Sequence, residues 1–310
     1  MKRMKSKIII LLGALFMALA LAACSGDNGP EATEERNRPT TDRYGFDITL
    51  PDEINTIVAL GASNVEILVG LGLANKIIAV DMFAADVSGL PSGISAELNM
   101  MGLDMEYIID MVPDLVLVTG MTRVGGEDPL YAVSAAGISV VFIPSSESIA
   151  AVMEDIRFVA AVMEVYEEGE AILSTMQTDI DEIVSIAATI AQTRTVYFEI
   201  FPGWSLGTGT FIHEMIELVG ATNIIADQAG WVEVSVEIVL EANPDVILTA
   251  TDFLDDPIAD IMERPGFDTI TAVQNNDVFQ VDGNSSMRPS QNITRSLREI
   301  AQVVFPEYFQ

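Results

Sequence analysis

The sequence is poor in cysteine, histidine and positive charge. Its 310 residues include one cysteine, one histidine and 15 Lys and Arg residues against 46 Asp and Glu residues. A lone cysteine excludes an intramolecular disulfide, and a closed zinc or manganese site needs several imidazole or thiolate ligands. We therefore expect no metal-ligating set and no resident cofactor. Any metal that this protein handles would arrive inside a chelator.

Positive charge is scarcest in the body of the chain. From Phe46 onward eight basic residues stand against 41 acidic ones, a net charge of −33. Such a surface repels nucleic acid and anionic lipid, so neither is expected to bind it. Half of the residues are hydrophobic, which excludes disorder for most of the chain and allows two domains with cores of their own.

The lone cysteine lies at the end of an apolar run near the N-terminus. Four basic residues precede this sixteen-residue run, a pattern typical of an export signal. The run ends in Leu-Ala-Ala-Cys, which resembles a bacterial lipobox, so residues 1–24 are predicted to be a lipoprotein signal with Cys24 as the lipidated residue. A plain signal peptide or an N-terminal anchor helix is the alternative. Residues 25–45 are polar and contain Pro, Gly and Thr, which predicts a flexible tether.

One helix-to-strand unit occurs twice. Glu106 begins a short apolar helical run that ends before Pro113 and leads into a β-branched strand, and Glu237 and Pro244 hold the same positions in the second copy. A helix that ends before a proline and is followed by a buried strand is an α/β unit. An acid in the first turn of a helix is favourable by only about 0.3–1 kcal/mol. That effect explains each glutamate alone and explains their recurrence less well.

Strands alternate with helices on both sides of a long helical segment. This order predicts an α/β fold of two lobes, residues 46–145 and 193–310, each with a mostly parallel sheet flanked by helices. Residues 146–192 have helical spacing without proline and predict two helices, the second a long rigid connection between the lobes. Ser63 and Glu66 fit a capping box at the start of an early helix, which gives Glu66 a structural role.

Catalytic chemistry is missing from the sequence. It has no Gly-x-Ser-x-Gly motif, and its only histidine, His213, lies on the apolar stripe of a predicted helix. A partly buried structural histidine is the better interpretation of that position. We assign no catalytic residue and predict that the protein is not an enzyme.

The candidate ligand contacts are apolar or aromatic residues of both lobes, together with one arginine. They are Phe83, Met100, Phe201, Trp204, Trp231 and Arg288. Aromatic rings in predicted loops offer the flat apolar surfaces that planar organic ligands need, and methionine gives an adaptable wall. Arg288 lies in a predicted loop, where it could bind a polar group of the ligand. Packing in the core is an equal alternative for each aromatic residue.

The order and spacing of several motifs together resemble a known family. They are the stretch from Ile57 to Glu66, the first repeat from Glu106 to Val116, Gly209 to Ile212, the second repeat from Val234 to Ile247, and Arg288-Pro289. From about Thr56 to Tyr308 the chain resembles the extracytoplasmic substrate-binding proteins of ABC importers for iron chelates and cobalamin. In that class one rigid helix joins the two lobes.

The resemblance implies a monomer, anchored by lipid outside the cell membrane, that delivers a small-molecule metal chelate to a permease dimer with its ATPase subunits. It implies that Glu106 and Glu237 dock into arginine pockets on the two permease subunits. The ligand would lie between the lobes against Trp231 and, less firmly, against Phe83, Trp204 and Arg288. A continuous connecting helix would allow little lobe closure.

Among ligands, the sequence favours a corrinoid such as cobalamin over a ferric siderophore. Many siderophore complexes are anionic and would face the charge of the body, although salt screens that field beyond about 10 Å. Haem ranks third because His213 is the only possible imidazole ligand. Cobalamin-binding members of the family carry a tryptophan six residues before the first docking glutamate, where this chain has Met100. A secreted enzyme or a surface adhesin on the same scaffold is the alternative function.

Overall fold

The computed structural model describes residues 37–100, 102–120 and 128–309. In the first lobe the elements are β1 Ile57–Leu60, α1 Ala62–Gly70, β2 Ile77–Asp81, β3 Ser95–Leu98, α2 Met105–Asp110, β4 Leu115–Thr119, α3 Tyr131–Ala135 and β5 Ser139–Ile143. Two helices follow, α4 Ile149–Val162 and α5 Tyr166–Ala187.

The second lobe comes after these helices. Its elements are β6 Thr195–Phe201, β7 Trp204–Leu206, α6 Phe211–Leu218, β8 Thr222–Asn223, β9 Trp231–Glu233, α7 Val236–Ala242, β10 Val246–Thr249, α8 Pro257–Met262, α9 Thr271–Asn275, β11 Val278–Gln280, α10 Gly283–Met287 and α11 Ile293–Val304.

The first sheet is fully parallel, with strand order β3-β2-β1-β4-β5. The second sheet has the order β11-β10-β6-β7-β9, and β8 pairs with β6. Strands β6, β8, β10 and β11 pair in parallel, whereas β7 pairs antiparallel with both β6 and β9. The predicted two-lobed α/β fold is confirmed, and the second sheet is mixed because the segment after β6 turns back as a hairpin.

Both faces of each sheet are buried, and successive residues of a strand alternate between faces. In the first sheet Ile57 and Ala59 point to one core while Val58 and Leu60 point to another. The core on the Ile57 face continues through α4 and α5 into the second lobe, where it includes Phe198. An apolar core shared by two lobes opposes hinge motion, because separation would expose it to water.

The two copies of the repeat fold alike and begin alike. In the first, the Asp114 carboxylate accepts hydrogen bonds from the Thr56 amide at 2.9 Å and the Thr56 hydroxyl at 2.9 Å. In the second, Asp245 accepts from the Thr195 amide at 2.8 Å and the Thr195 hydroxyl at 2.9 Å. Each aspartate joins the start of its own strand to the start of the neighbouring strand. The two copies of the repeat are therefore equivalent in their hydrogen bonds as well as in sequence.

The last residues of the predicted tether contact the body. The guanidinium of Arg38 donates to the carbonyl of Pro51 at 2.7 Å and to that of Val162 at 3.1 Å. Arg43 forms an ion pair with buried Asp155, with Nε 2.7 Å from Oδ1. The tether contains few apolar residues, so its hydrophobic pattern does not predict these contacts. Its arginine side chains make them to backbone carbonyls and to a carboxylate of the body.

Candidate functional site

A cleft of about 550 Å³ lies between the two lobes. The first lobe contributes residues at or just after the ends of β1 to β5, the second contributes residues of β9, α6 and the end of α10 with the segment after it, and α4 contributes Asp155. These residues of the first lobe lie at the carboxyl ends of parallel strands, the edge at which open α/β sheets bind ligands. The volume falls in the range of small-molecule sites, about 300–1,000 Å³.

Asp81 organises the wall of the first lobe. Its buried carboxylate accepts the Gly61 amide at 2.5 Å and the Phe83 amide at 2.8 Å, and burial raises its pKa. Gly61 has φ 98°, and a Cβ there would come within 3.0 Å of Thr119, so glycine is required at this turn. These contacts fix the turn that carries Phe83, which is half exposed. Phe83 and Met100 both line the cleft.

Trp231 is the exposed aromatic residue of the opposite wall. It begins β9 and is 58% exposed. Its ring lies 6.3 Å from that of Phe201, which lies 5.8 Å from that of Trp204. Trp231 lines the cleft, whereas Phe201 and Trp204 are partly buried and pack against the core. The latter two therefore support Trp231 from behind and do not line the cleft.

The sequence-based placement of these aromatic residues in loops was wrong for Phe201, Trp204 and Trp231, which all lie in strands. Phe201 ends β6 and Trp204 begins β7, joined by a tight turn at Gly203 with φ 78°. The hairpin is fixed from beneath by Glu199, which is 1% exposed and pairs with Arg264 through two contacts of 2.6 and 2.9 Å. The Glu199 carboxylate also accepts the Gly203 amide at 3.3 Å.

Among the described residues that line the cleft, the charged ones are Asp155 and Arg288. Burial raises the pKa of Asp155, while hydrogen bonds from Ser146 and Arg43 oppose that rise. Arg288 forms ion pairs with Glu66 at 3.3 Å and Asp86 at 2.8 Å. Each charge on the lining is thus matched by an opposite charge within the protein. The cleft itself is mainly apolar despite the strong negative charge of the whole chain.

The predicted loop that carries Arg288 is helical for most of its length. Helix α10 covers Gly283–Met287, and Arg288 is its C-terminal cap residue. The capping-box interpretation of Ser63 and Glu66 is also wrong, because Gly61 is the N-cap of α1 and makes no side-chain cap hydrogen bond. Glu66 is instead buried, and its partners lie in the second lobe.

Several lining residues were not singled out from the sequence. They include Asn64, Ile143, Ser146, Asp155, Phe211 and Met287. Asn64 and Ile143 lie beside the ends of β1 and β5, so the rule that ligands bind at strand ends could have indicated them. Asp155 lies within α4, and its side chain faces the cleft only because of how that helix packs, which the sequence does not state.

Direct metal binding has no support in the described residues, which contain no group of three or more His, Cys, Asp or Glu side chains able to hold a metal ion. His213 is 9% exposed, and its ring lies 3.4 Å from the Asn223 amide and 3.5 Å from the Glu217 carboxylate. It is not among the residues that line the cleft.

Glu106 and Glu237 both lie exposed in the first turn of a short helix. Glu106 is on α2, where Asp104 accepts the Tyr107 amide at 3.0 Å as the N-cap. Glu237 is on α7 after Ser235, and hydrogen bonds from its own backbone amide and from Ser235 hold its pKa below the ordinary value. Each lobe therefore presents one acid at an equivalent place. Exposed apolar neighbours accompany them, Tyr107 in the first lobe and Val236 in the second.

Cys24 and the rest of the predicted signal lie outside the described residues. Within the part of the chain that is described, no helix combines the length and the apolar character needed to span a bilayer.

Comparisons with known proteins identify related chains over nearly the whole length. Residues 57–284 match the profile of the family described as periplasmic binding protein. A Bacillus subtilis (strain 168) protein named uncharacterized ABC transporter substrate-binding lipoprotein YvrC is 27% identical, covering 99% of this chain and 100% of that protein. A cobalamin-binding protein of Halobacterium salinarum is 25% identical, covering 96% of this chain and 84% of that protein.

A solved structure has the same fold. It is described as a possible iron-binding (periplasmic solute-binding) protein from Staphylococcus epidermidis and superposes with a TM-score of 0.72 at 25% identity. The match covers 82% of this chain and all of that one.

Proposed function

This chain belongs to the periplasmic binding protein family, and we propose that its ligand is a metal chelate with a flat organic face, with a corrinoid such as cobalamin favoured. Proteins of this family are the extracytoplasmic substrate-binding components of ABC importers and are not enzymes. The expectation that this chain is not an enzyme is confirmed by its family, and so is the resemblance stated from the sequence.

The observation that carries the ligand proposal is the chemistry of the cleft. Phe83 and Met100 face Trp231 across about 550 Å³ of space, and the charged groups Asp155 and Arg288 are already paired within the protein. A small, highly charged anion needs unpaired donors packed closely around it. A flat organic ligand instead gains from burial against aromatic and methionine side chains.

The absence of a metal-binding cluster among the described residues supports a metal that brings its own ligands. A corrinoid does so through its ring, and a siderophore does so through its oxygen donors. The similarity to the cobalamin-binding protein of Halobacterium salinarum favours the corrinoid. The Staphylococcus epidermidis structure keeps an iron chelate as the second candidate. Of the iron chelates, a neutral one suits this acidic chain better than an anionic one.

Delivery to the membrane is the remaining part of the proposal. Glu106 and Glu237 would each bind an arginine-lined pocket on one subunit of a permease dimer that is driven by ATPase subunits. Cys24 would carry the lipid that holds the protein at the membrane, as the name of the Bacillus subtilis relative suggests for that protein. A monomer with one acid on each lobe matches a partner made of two subunits.

A panel of ligands tests the proposal. The full chain, solubilised in detergent, is heated with cyanocobalamin, a neutral ferric hydroxamate, an anionic ferric catecholate, haemin or molybdate. A ligand present at 100 times its Kd stabilises the fold by about 2.7 kcal/mol, a rise of several degrees in Tm. We expect this rise with cyanocobalamin and a smaller one or none with molybdate. No rise with any of the chelates would contradict the proposed ligand class.

A further inference from the structure

Arg288 reaches from the second lobe into the first and directs its guanidinium to three acceptors there. Nη1 donates to the Glu66 carboxylate at 3.3 Å. Nη2 donates to both oxygens of Asp86, at 2.8 and 3.1 Å, and to the carbonyl oxygen of Phe83 at 3.2 Å. The side chains of Arg288 and Glu66 are 16% and 7% exposed, so their contact is largely shielded from water, whereas that of Asp86 is 55% exposed. One arginine thus holds α1 and the turn that carries Phe83.

Glu66 is the buried counterpart of this arginine. It lies in the middle of α1 and is 6% exposed. Besides Arg288, its carboxylate accepts hydrogen bonds from the Ser290 hydroxyl and, at 2.8 Å, from the Asn292 amide. Its backbone carbonyl accepts the side-chain amide of Gln291 at 2.8 Å. All four partners belong to one segment of the second lobe.

A buried carboxylate is stable only where charge and hydrogen bonds replace its lost water. For Glu66 every side-chain partner named above lies across the lobe boundary. If the lobes moved apart, the carboxylate and Arg288 would lose those partners together. A glutamate that only capped its own helix would keep its partners if the lobes moved apart. The contacts therefore link the separation of the lobes to the electrostatics of one buried group.

From this geometry we propose that Glu66, Asp86, Arg288, Ser290 and Asn292 form an interlobe clamp that fixes the width of the cleft and holds Phe83 toward the ligand. In the clamp Arg288 is a positioning residue, acting through Phe83 and α1. This assigns it a different role from the direct ligand contact expected from the sequence. The inference rests on the proposed function only for its binding readout, since the position of the lobes is measured without ligand.

The clamp and a direct ligand contact differ in what they require of Glu66. Glu66 does not line the cleft and can affect the ligand only through its partners. Its substitution should weaken binding if the clamp sets the width of the cleft. Binding should stay unchanged if Arg288 acts only by direct contact with the ligand. Arg295 supplies the matched control. It lies near Arg288 but is 70% exposed and pairs with Asp282 of its own lobe at 3.6 Å.

Two measurements on the full chain test the clamp. Spin labels at Tyr131→Cys in the first lobe and Asp268→Cys in the second, in a Cys24→Ser background, report the interlobe distance by double electron-electron resonance. Both labelled positions are exposed. Equilibrium dialysis of cyanocobalamin reports affinity. The variants are Glu66→Gln, Arg288→Gln, their combination, Arg288→Lys and the control Arg295→Gln, each checked for folding by circular dichroism.

We expect Glu66→Gln and Arg288→Gln each to lengthen or broaden the interlobe distance distribution without ligand and to weaken binding by about tenfold, equivalent to about 1.4 kcal/mol. The combination should weaken binding by less than the sum of the two single effects, because both changes break the contact between Arg288 and Glu66. The affinity of Arg288→Lys should fall between those of the wild type and Arg288→Gln. Arg295→Gln should match the wild type in both affinity and interlobe distance.

Unchanged distances in both glutamine variants would overturn the clamp. So would a loss of affinity in Arg288→Gln that Glu66→Gln does not share, because that result assigns Arg288 to the ligand. If the wild type does not bind cyanocobalamin, the proposed corrinoid ligand fails, while the distance measurement still decides whether the clamp exists.

Discussion

Arg288 and Glu66 are 222 residues apart in sequence, yet Nη1 of one lies 3.3 Å from Oε1 of the other across the two lobes. The pair joins lobes that already share one apolar core through α4 and α5. Both features favour a cleft of nearly constant width. A binding protein of this kind would recognise its ligand mainly by a preformed surface.

Reversing the charge of both exposed glutamates should separate transport from binding. With Glu106→Arg and Glu237→Arg together, uptake of labelled cyanocobalamin by cells should fall to background, because two arginines would then face positively charged pockets. Affinity of the purified chain should stay within about twofold of wild type, since neither residue lines the cleft.

The matched control for this pair reverses two other exposed acids on the same helices. Asp110→Arg lies on α2 and Glu241→Arg on α7. Uptake by this double variant should stay close to wild type. A loss of ligand affinity in the Glu106/Glu237 variant would show that these residues do not act at the permease.

Asp114 should make the stability of the first lobe depend on pH. The Asn55 amide and then the Thr56 hydroxyl and amide hold the pKa of this carboxyl below its ordinary value of 3.8. A lowered folded-state pKa adds stability that is present above the unfolded pKa and lost as pH falls through the folded one. Asp114→Asn should therefore cost about 1 kcal/mol at pH 7, and this cost should shrink as the pH falls below 3.8.

Urea denaturation at a series of pH values measures this difference. Asp110→Asn, an exposed acid of the same lobe, is the control and should change little at any pH. A gap between Asp114→Asn and wild type that stays constant down to pH 2 would contradict the assigned role of the ionised carboxylate.

Replacing Arg264 should lower the free energy of unfolding more than replacing an arginine whose ion pairs are exposed to solvent. Its partner Glu199 is 1% exposed, and Arg264→Met would leave that carboxylate buried without its charge partner. Breaking a buried pair from one side costs about 3–5 kcal/mol. Arg298→Met is the control, because its partners Asp179 and Glu182 are accessible to solvent.

Chemical denaturation at pH 7 measures both arginine variants. Combining Arg264→Met with Glu199→Gln should recover part of the loss, since the uncompensated charge is removed. Equal stability of Arg264→Met and Arg298→Met would contradict a structural role for the buried pair beneath the Gly203 hairpin.

The sequence predicted the fold well wherever local patterns determine it. The repeated helix-to-strand units, the proline positions and the long helical segment predicted two lobes and their connection, and α5 covers Tyr166–Ala187 as expected to within a few residues. The antiparallel pairing of β7 does not follow from the sequence pattern, because only Pro202 and Gly203 separate the paired residues Phe201 and Trp204. Short strands of three residues leave too little alternation to be recognised.

The candidate site was predicted less completely, for a physical reason. Four of the six expected ligand contacts line the cleft: Phe83, Met100, Trp231 and Arg288. Phe201 and Trp204 lie behind Trp231, because strand pairing places them there. The sequence alone does not distinguish an aromatic residue that lines the cleft from one that packs behind it. The role of Glu66 depends on residues 290–292, so no local pattern around Ser63 could indicate it.

The most direct test of the account is isothermal titration of the full chain with cyanocobalamin, in the wild type and in Trp231→Ala, with Trp204→Phe as the control for a supporting ring. A half-exposed tryptophan at the cleft should contribute about 1–3 kcal/mol to ligand binding. We expect one ligand per chain, an affinity about tenfold or more weaker in Trp231→Ala, and little change in Trp204→Phe. No saturable binding by the wild type, or equal affinity in Trp231→Ala, would contradict a corrinoid held between the lobes against this ring.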